Sequence, residues 1–170
     1  PDSLDAAVDA LAADDAVPLA GGHDLIPTLK ARQADPGTVV DIGGLSELCG
    51  VERVVDDTHG DPTERLSIGA LTTDSDLLDA DPAGVDALLD ATKAVGDKQI
   101  RNRGTVGGNL AAAHPASDIP AATLVAGADL HLVGPDGDRT VSAETFATGD
   151  HETVRDSDEL LTRVAVRSEE

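Results

Sequence analysis

The 170-residue sequence predicts an α+β protein, one domain divided into two lobes. Three observations carry this. Apolar residues recur at helical spacing in some segments and gather in short β-branched runs in others, in the order of a small βαβ unit with a meander followed by a larger mixed α/β lobe. Hydrophobic residues make up 40% of the chain but aromatic ones only 1%, so the core must be built from Ala, Val, Leu and Ile around the single ring of Phe146. No internal repeat, low-complexity tract or flexible linker divides the chain, and its length suits one domain. The domain is expected to fill residues 1–170, with one lobe over about 1–56 and the other over about 64–170.

Leu4, Ala7, Val8 and Leu11 share one helical face, and Ser3 stands where an N-cap is needed. Val17-Pro18-Leu19-Ala20 reads as a short strand running into Gly21-Gly22. Asp24 is placed to cap a second helix carrying Leu25, Leu29 and Lys30, so this glycine turn points at a helix start. Strands follow over 39–42, 51–55 and 66–70, the last two on either side of the turn-rich His59-Gly60-Asp61-Pro62. A short helix begins at Asp74 or Ser75. A longer one over 84–95 turns Val85, Leu88, Leu89 and Thr92 inward. Asp118-Ile119-Pro120 caps a helix over 121–126. Runs over 128–133 and 139–141 form a hairpin across Gly134-Pro135-Asp136-Gly137-Asp138, and 160–166 is the last strand.

The net charge of −21 excludes whole classes of function. A nucleic-acid binder needs cations to displace counterions from phosphates, and this surface repels them. Anionic membranes are excluded on the same ground, and no apolar stretch approaches the roughly 20 residues needed to span a bilayer. Only Lys30, Lys93 and Lys98 supply lysine, while aspartates are spread along the whole length. Such a distributed acidic surface reads as a halophile's solubility device, suited to molar salt where repulsion is screened. Cys49 is alone, so there is no disulfide framework, and it is expected to behave as a small buried hydrophobe. Pro1-Asp2-Ser3 opens directly into a helical pattern with no signal peptide, which makes the cytoplasm the expected compartment.

The chemistry concentrates in two glycine-rich segments. Ala20-Gly21-Gly22-His23-Asp24-Leu25 follows a strand. Gln99-Ile100-Arg101-Asn102-Arg103-Gly104-Thr105-Val106-Gly107-Gly108-Asn109 follows a helix. Neither is a G-x-G-x-x-G or a G-x-x-x-x-G-K-[ST] pattern. Each can be a plain turn, or a place where backbone N–H groups approach an anion with no Cβ in the way. A diphosphate held between the two is the candidate ligand. Asp118 reads either as a helix cap or as a carboxylate for a ribose hydroxyl or adenine amine. Arg101 and Arg103 pair with phosphate or, more in keeping with so acidic a protein, fix their loop by salt bridges. His23, His59, His114, His131 and His151 lie too far apart for a structural zinc site, and His59 and His151 read as solvated surface. No catalytic side chain or metal ligand emerges from these patterns.

Together the two segments, Ile68-Gly69-Ala70-Leu71-Thr72-Thr73, and His114-Pro115-Ala116-Ser117-Asp118-Ile119-Pro120-Ala121-Ala122 resemble the FAD-binding medium subunit of the molybdenum hydroxylases. This is the family of carbon monoxide dehydrogenase and xanthine dehydrogenase. The resemblance runs in order through nearly the whole chain. It implies a two-lobed FAD domain of the vanillyl-alcohol-oxidase/PCMH-like type. Carried over by position, Leu19, Ala20, Gly21, Gly22, His23, Asp24 and Leu25 would wrap the diphosphate and part of the flavin. Thr105, Gly107, Gly108 and Asn109 would form a second diphosphate loop. Asp118 would hold the adenosine end, and Val95 and Leu161 would add apolar or backbone contacts. His23 is similar to the carbon monoxide dehydrogenase branch, where xanthine dehydrogenase-type proteins often have Thr. The family's further C-terminal lobe is expected to be absent from this sequence.

The resemblance also implies a role. In this family the substrate is oxidised on a molybdopterin-containing large subunit, electrons cross an iron–sulfur small subunit, and FAD passes them to an external electron acceptor. The rival readings are a self-contained FAD-dependent oxidase, which the G-G-H turn resembles more faintly, and a truncated scaffold without cofactor.

The charge pattern makes one prediction. Thermal stability should climb as KCl is raised toward molar levels, because repulsion among carboxylates is screened. A melting temperature that is flat or falls over that range, followed by circular dichroism, contradicts the halophile reading.

Overall fold

Ser3 starts the chain's first helix, its Oγ accepting from the Ala6 amide at 3.2 Å. Helix α1 (Leu4–Leu11) buries Ala7, Val8 and Leu11 and leaves its aspartates outside. It covers a parallel pair of strands, β1 (Ala16–Leu19) and β2 (Thr38–Asp41), joined through α2 (Leu25–Lys30). The βαβ unit is therefore as expected. Asp24 precedes α2 in helical conformation and makes no side-chain capping bond, so its carboxylate is not the cap that the sequence suggests. The computed structural model describes residues 1–56 and 63–167. The expected turn around His59 lies outside them.

A 3₁₀ turn (Ser46–Leu48) leads into β3 (Val51–Asp56), which pairs antiparallel with β4 (Thr63–Gly69). This meander does not close the first lobe. It joins a five-stranded antiparallel sheet of order β3-β4-β9-β5-β6, completed by β5 (Asp129–Gly134), β6 (Gly137–Ser142) and β9 (Leu160–Arg167). By strand pairing, residues 51–56 go with the larger lobe. Local patterning shows that β3 is a strand but not which sheet it enters.

Helices α3 (Asp74–Ala80), α4 (Asp86–Ala94), α5 (Lys98–Arg101), α6 (Val106–Ala112), α7 (Ile119–Val125) and α8 (Ala143–Phe146) make up the rest of that lobe, with a small ribbon of β7 (Ala147–Gly149) and β8 (Glu152–Thr153). The period-2 pairs Leu66/Ile68, Leu130/Leu132 and Val164/Val166 meet Leu77, Leu88, Leu110, Ile119 and Phe146 from the helices in one core. Each such burial contributes about 1.5–3 kcal/mol. A second core joins Ala7, Val8, Leu11, Val40, Ile42 and Leu45 to Leu71 and Leu160 of the larger lobe. The second core therefore draws side chains from both lobes and packs one against the other.

Two smaller expectations fail. Cys49 is exposed, its thiol lying 3.7 Å from the Leu71 carbonyl, because the chain turns outward there into β3. Among the described residues, Arg101 makes no salt bridge. Its Nη1 donates to the Val95 and Gly96 carbonyls at 2.9 and 3.2 Å, closing the end of α4.

Arg65 and Asp129 form an ion pair at 2.8 Å, both almost wholly buried, linking β4 to β5 across β9. Removing one partner strands a charge out of water, so Asp129→Ala should lower stability by about 3–5 kcal/mol. Replacing both with apolar residues should recover most of that. Urea denaturation of the three proteins checks this, and a loss below about 1 kcal/mol in the single variant contradicts it.

Candidate functional site

The first glycine segment connects β1 to α2 within the smaller lobe and touches the larger one. Gly21 lies so close to the Arg103 carbonyl that a Cβ would overlap it. Gly22 has φ +83, a conformation that favours glycine. His23 fixes the segment from the other side, its Nε2 donating to the Ile100 carbonyl at 2.8 Å. The first intrahelical bond nearby runs from the Ile26 amide to the Gly22 carbonyl. Among the described residues, none accepts from the amides of residues 21–24. Four consecutive N–H groups without a protein acceptor are available to an anion.

The second segment is built differently. The stretch expected to be a loop is the first turn of α6, capped by the Thr105 hydroxyl, which accepts from the Gly108 amide at 3.1 Å. Val106 and Gly107 donate to the Thr72 and Ala70 carbonyls at 3.0 and 2.9 Å, and Asn109 donates to Thr105 O. These amides are already spent. Gly107 is required for a packing reason, since a Cβ there would come within 2.5 Å of the Ala70 side chain. A Cβ on Gly108 would press on the capping hydroxyl at 2.6 Å. The expected second diphosphate loop is therefore a helix N-terminus offering its dipole and the Thr105 and Asn109 side chains.

Between the segments opens a cleft of about 330 Å³. Leu19, Ala20, Gly21, Gly22, His23, Asp24 and Leu25 form one wall. Val95, Thr105, Gly107, Gly108, Asn109 and Leu161 contribute to the others. The structure thus gathers all but one of the residues expected from the sequence. The exception is Asp118, which is exposed, does not line the cleft and makes no side-chain cap on α7. Its segment reaches the site indirectly, through the Ser117 hydroxyl donating to Asn109 Oδ1 at 2.5 Å. Apolar wall comes from Val17, Pro18, Ile100 and Leu160 as well.

Sequence reading missed the cationic part of this wall. Arg155 lines the cleft and, among the described residues, is its only arginine or lysine. Its Nη1 donates to the Asp156 and Glu159 carbonyls, each at 2.7 Å, while its buried Nε has no partner. Burial pushes its pKa down, against the pull of Glu159, Asp156 and Asp158. The Glu159 carboxylate is taken up by Arg139, with bonds of 2.6 and 2.7 Å that hold it below its usual pKa. Arg155 therefore faces the cleft without a carboxylate that belongs to it alone.

Asp74, at the start of α3, is 1% exposed, and among the described residues its Oδ1 has no hydrogen-bond partner. Burial raises its pKa to about 6, although His23 and Arg101 pull it down. Two buried, unpartnered polar atoms thus belong to residues lining one cleft, alongside a run of open amides. That is the donor and acceptor set of a site for an anionic ligand with apolar ends. No spacing rule could have found Asp74 or Arg155, because α3 and the segment before β9 reach the cleft only through the tertiary fold.

Comparisons with known proteins follow this geometry. Residues 1–166 match the family described as "FAD binding domain in molybdopterin dehydrogenase". The carbon monoxide dehydrogenase medium chain of Hydrogenophaga pseudoflava is 37% identical over 154 residues, covering 89% of this chain and 51% of the relative. The glyceraldehyde dehydrogenase medium chain of Sulfolobus acidocaldarius is 38% identical over 155 residues, covering 90% and 52%. In solved form, a Hydrogenophaga pseudoflava carbon monoxide dehydrogenase lacking the Mo-pyranopterin moiety of its cofactor superposes with a TM-score of 0.91. There the identity is 35%, over 100% of this chain and 58% of that one. The chain spans about half the length of the curated relatives it matches.

Proposed function

The chain belongs to the family of FAD-binding domains of molybdopterin dehydrogenases, and on that premise we propose that its cleft holds FAD for electron relay within a multi-subunit molybdenum dehydrogenase. The observation that carries this reading is the set of open amides over residues 21–24 on the cleft wall. In this reading they receive a diphosphate without giving up any existing hydrogen bond. Arg155 supplies the positive charge that a dianion needs inside so acidic a protein. Thr105 and Asn109 add donors from the start of α6, and Leu19, Val95, Ile100 and Leu161 offer apolar surface to rings. Asp118 lies outside this cleft, so an adenosine contact at that position requires the ligand to extend along the surface past Ser117.

Bound FAD would supply the redox chemistry, and the residues of this chain would bind it, orient it and limit water around it. The partners in this reading are a molybdopterin-containing large subunit, an iron–sulfur small subunit and an external acceptor. No helix among the described residues is long and apolar enough to cross a membrane. We place the assembly in the cytoplasm.

The test is a titration of the purified chain with FAD, followed by flavin absorbance and fluorescence. Saturable binding is expected, with all flavin released into the supernatant by acid precipitation. His23→Ala should weaken binding by about 1 kcal/mol, one hydrogen bond's worth, without altering the flavin spectrum. A yellow pellet in the wild type and a clear one in the variant would identify a covalent oxidase instead. No binding at all would leave a scaffold without cofactor.

A further inference from the structure

Resting on the reading of the cleft as an FAD site, we propose that Asp74 is a further cofactor-binding residue, a carboxylic acid that donates a hydrogen bond to FAD and couples binding to proton uptake. The geometry singles it out. Asp74 lies where the two glycine segments meet, its amide donating to the Gly104 carbonyl at 3.0 Å. A Cβ on Gly104 would sit 2.6 Å from Asp74 Oδ2 and 3.3 Å from the His23 ring, so only glycine leaves room for both side chains. The carboxyl is 1% exposed and lines the cleft, and Oδ1 is without a partner. A buried carboxyl with an empty oxygen is costly as an anion and useful as a donor.

The charges around it decide which form is present. His23 of the first segment and Arg101 of α5 act on Asp74, and both favour the anion. Desolvation outweighs them and brings the pKa to about 6. Asp24 of the first segment, Arg103 after α5, Asp76 on its own helix, and Asp86, Asp90 and Lys93 on α4 are exposed. Their charges are screened by solvent. The start of α3 ordinarily favours an anion, yet burial prevails here too. Filling the cleft with a diphosphate removes more water and adds negative charge, and both raise the pKa further. Near neutral pH, Asp74 is ionised in the open cleft and protonated when FAD is bound.

The sign follows from linkage. The complex holds one more proton than the free protein above about pH 6, so affinity falls as pH rises through that value. Between about pH 5 and pH 8 the Kd of the wild type for FAD should rise at least tenfold, read by quenching of flavin fluorescence. Asp74→Asn keeps a donor that does not titrate. Its Kd should be flat with pH and close to the wild-type value at low pH. Asp74→Ala should be equally flat but weaker throughout. His23 is one of the two groups acting on Asp74, so His23→Asn is measured alongside and should retain most of the slope.

Calorimetry on the wild type alone, in two buffers of different ionisation enthalpy near pH 7, should show proton uptake and needs no variant. A flat wild-type profile, an Asp74→Asn variant with the full wild-type slope, or no proton uptake would overturn the role of Asp74 while leaving FAD binding intact. Absence of FAD binding at every pH would instead overturn the site itself, and this proposal with it.

Discussion

Backbone touching backbone is the constraint on which this molecule depends. The chain at Gly21 rests on the Arg103 carbonyl, and α6 rests on Ala70 through Gly107, at separations that no side chain permits. Main-chain hydrogen bonds hold the surrounding segments, one of them between the lobes and three within the larger lobe. Leu71 donates to Leu48 O at 2.8 Å, Gly107 to Ala70 O at 2.9 Å, and Val106 to Thr72 O and Asp74 to Gly104 O at 3.0 Å. Leu71 and Leu160 add apolar packing from the larger lobe to the smaller core. Because these contacts are made by main chain, they position the cleft walls with little freedom. A side chain at position 21 would act on lobe spacing before it acted on any ligand.

The second physical problem is an anion site on a protein of net charge −21. The solution is local. In the proposed FAD site, donors would come from neutral amides, which carry no counter-charge, and from Arg155, beside which Glu159 is claimed bidentately by Arg139. Bulk repulsion from the distant surface is cut by salt over roughly 10 Å or less, whereas the short contacts inside the cleft are not. An acidic exterior and an anionic ligand are therefore compatible, and more so in concentrated salt.

Much of this was legible in the sequence. Ser3, the βαβ unit, the hairpin over 128–141 and the last strand follow from spacing and turn residues, and the first glycine segment has the strand and helix that the sequence implies on either side. The second was misread because two adjacent glycines resemble a turn locally. The reason for them, contact with Ala70 and with the Thr105 hydroxyl, exists only in the folded state. The exposure of Cys49, the sheet that β3 enters, and the arrival of Asp74 and Arg155 at the cleft are likewise products of long-range packing. Asp118 shows the converse case. A motif named it, yet the fold sets it at an exposed helix start away from the cleft.

The central claim is that the first segment, and not the second, supplies the backbone donors of the site. Amide chemical shifts and exchange rates of the 15N-labelled chain, recorded with and without FAD, test it directly. The account predicts large downfield shifts and new protection for the amides of residues 21–24, with those of residues 106–109 little changed because they are already hydrogen-bonded. Shifts and protection confined to 106–109, with 21–24 unaffected, would contradict it.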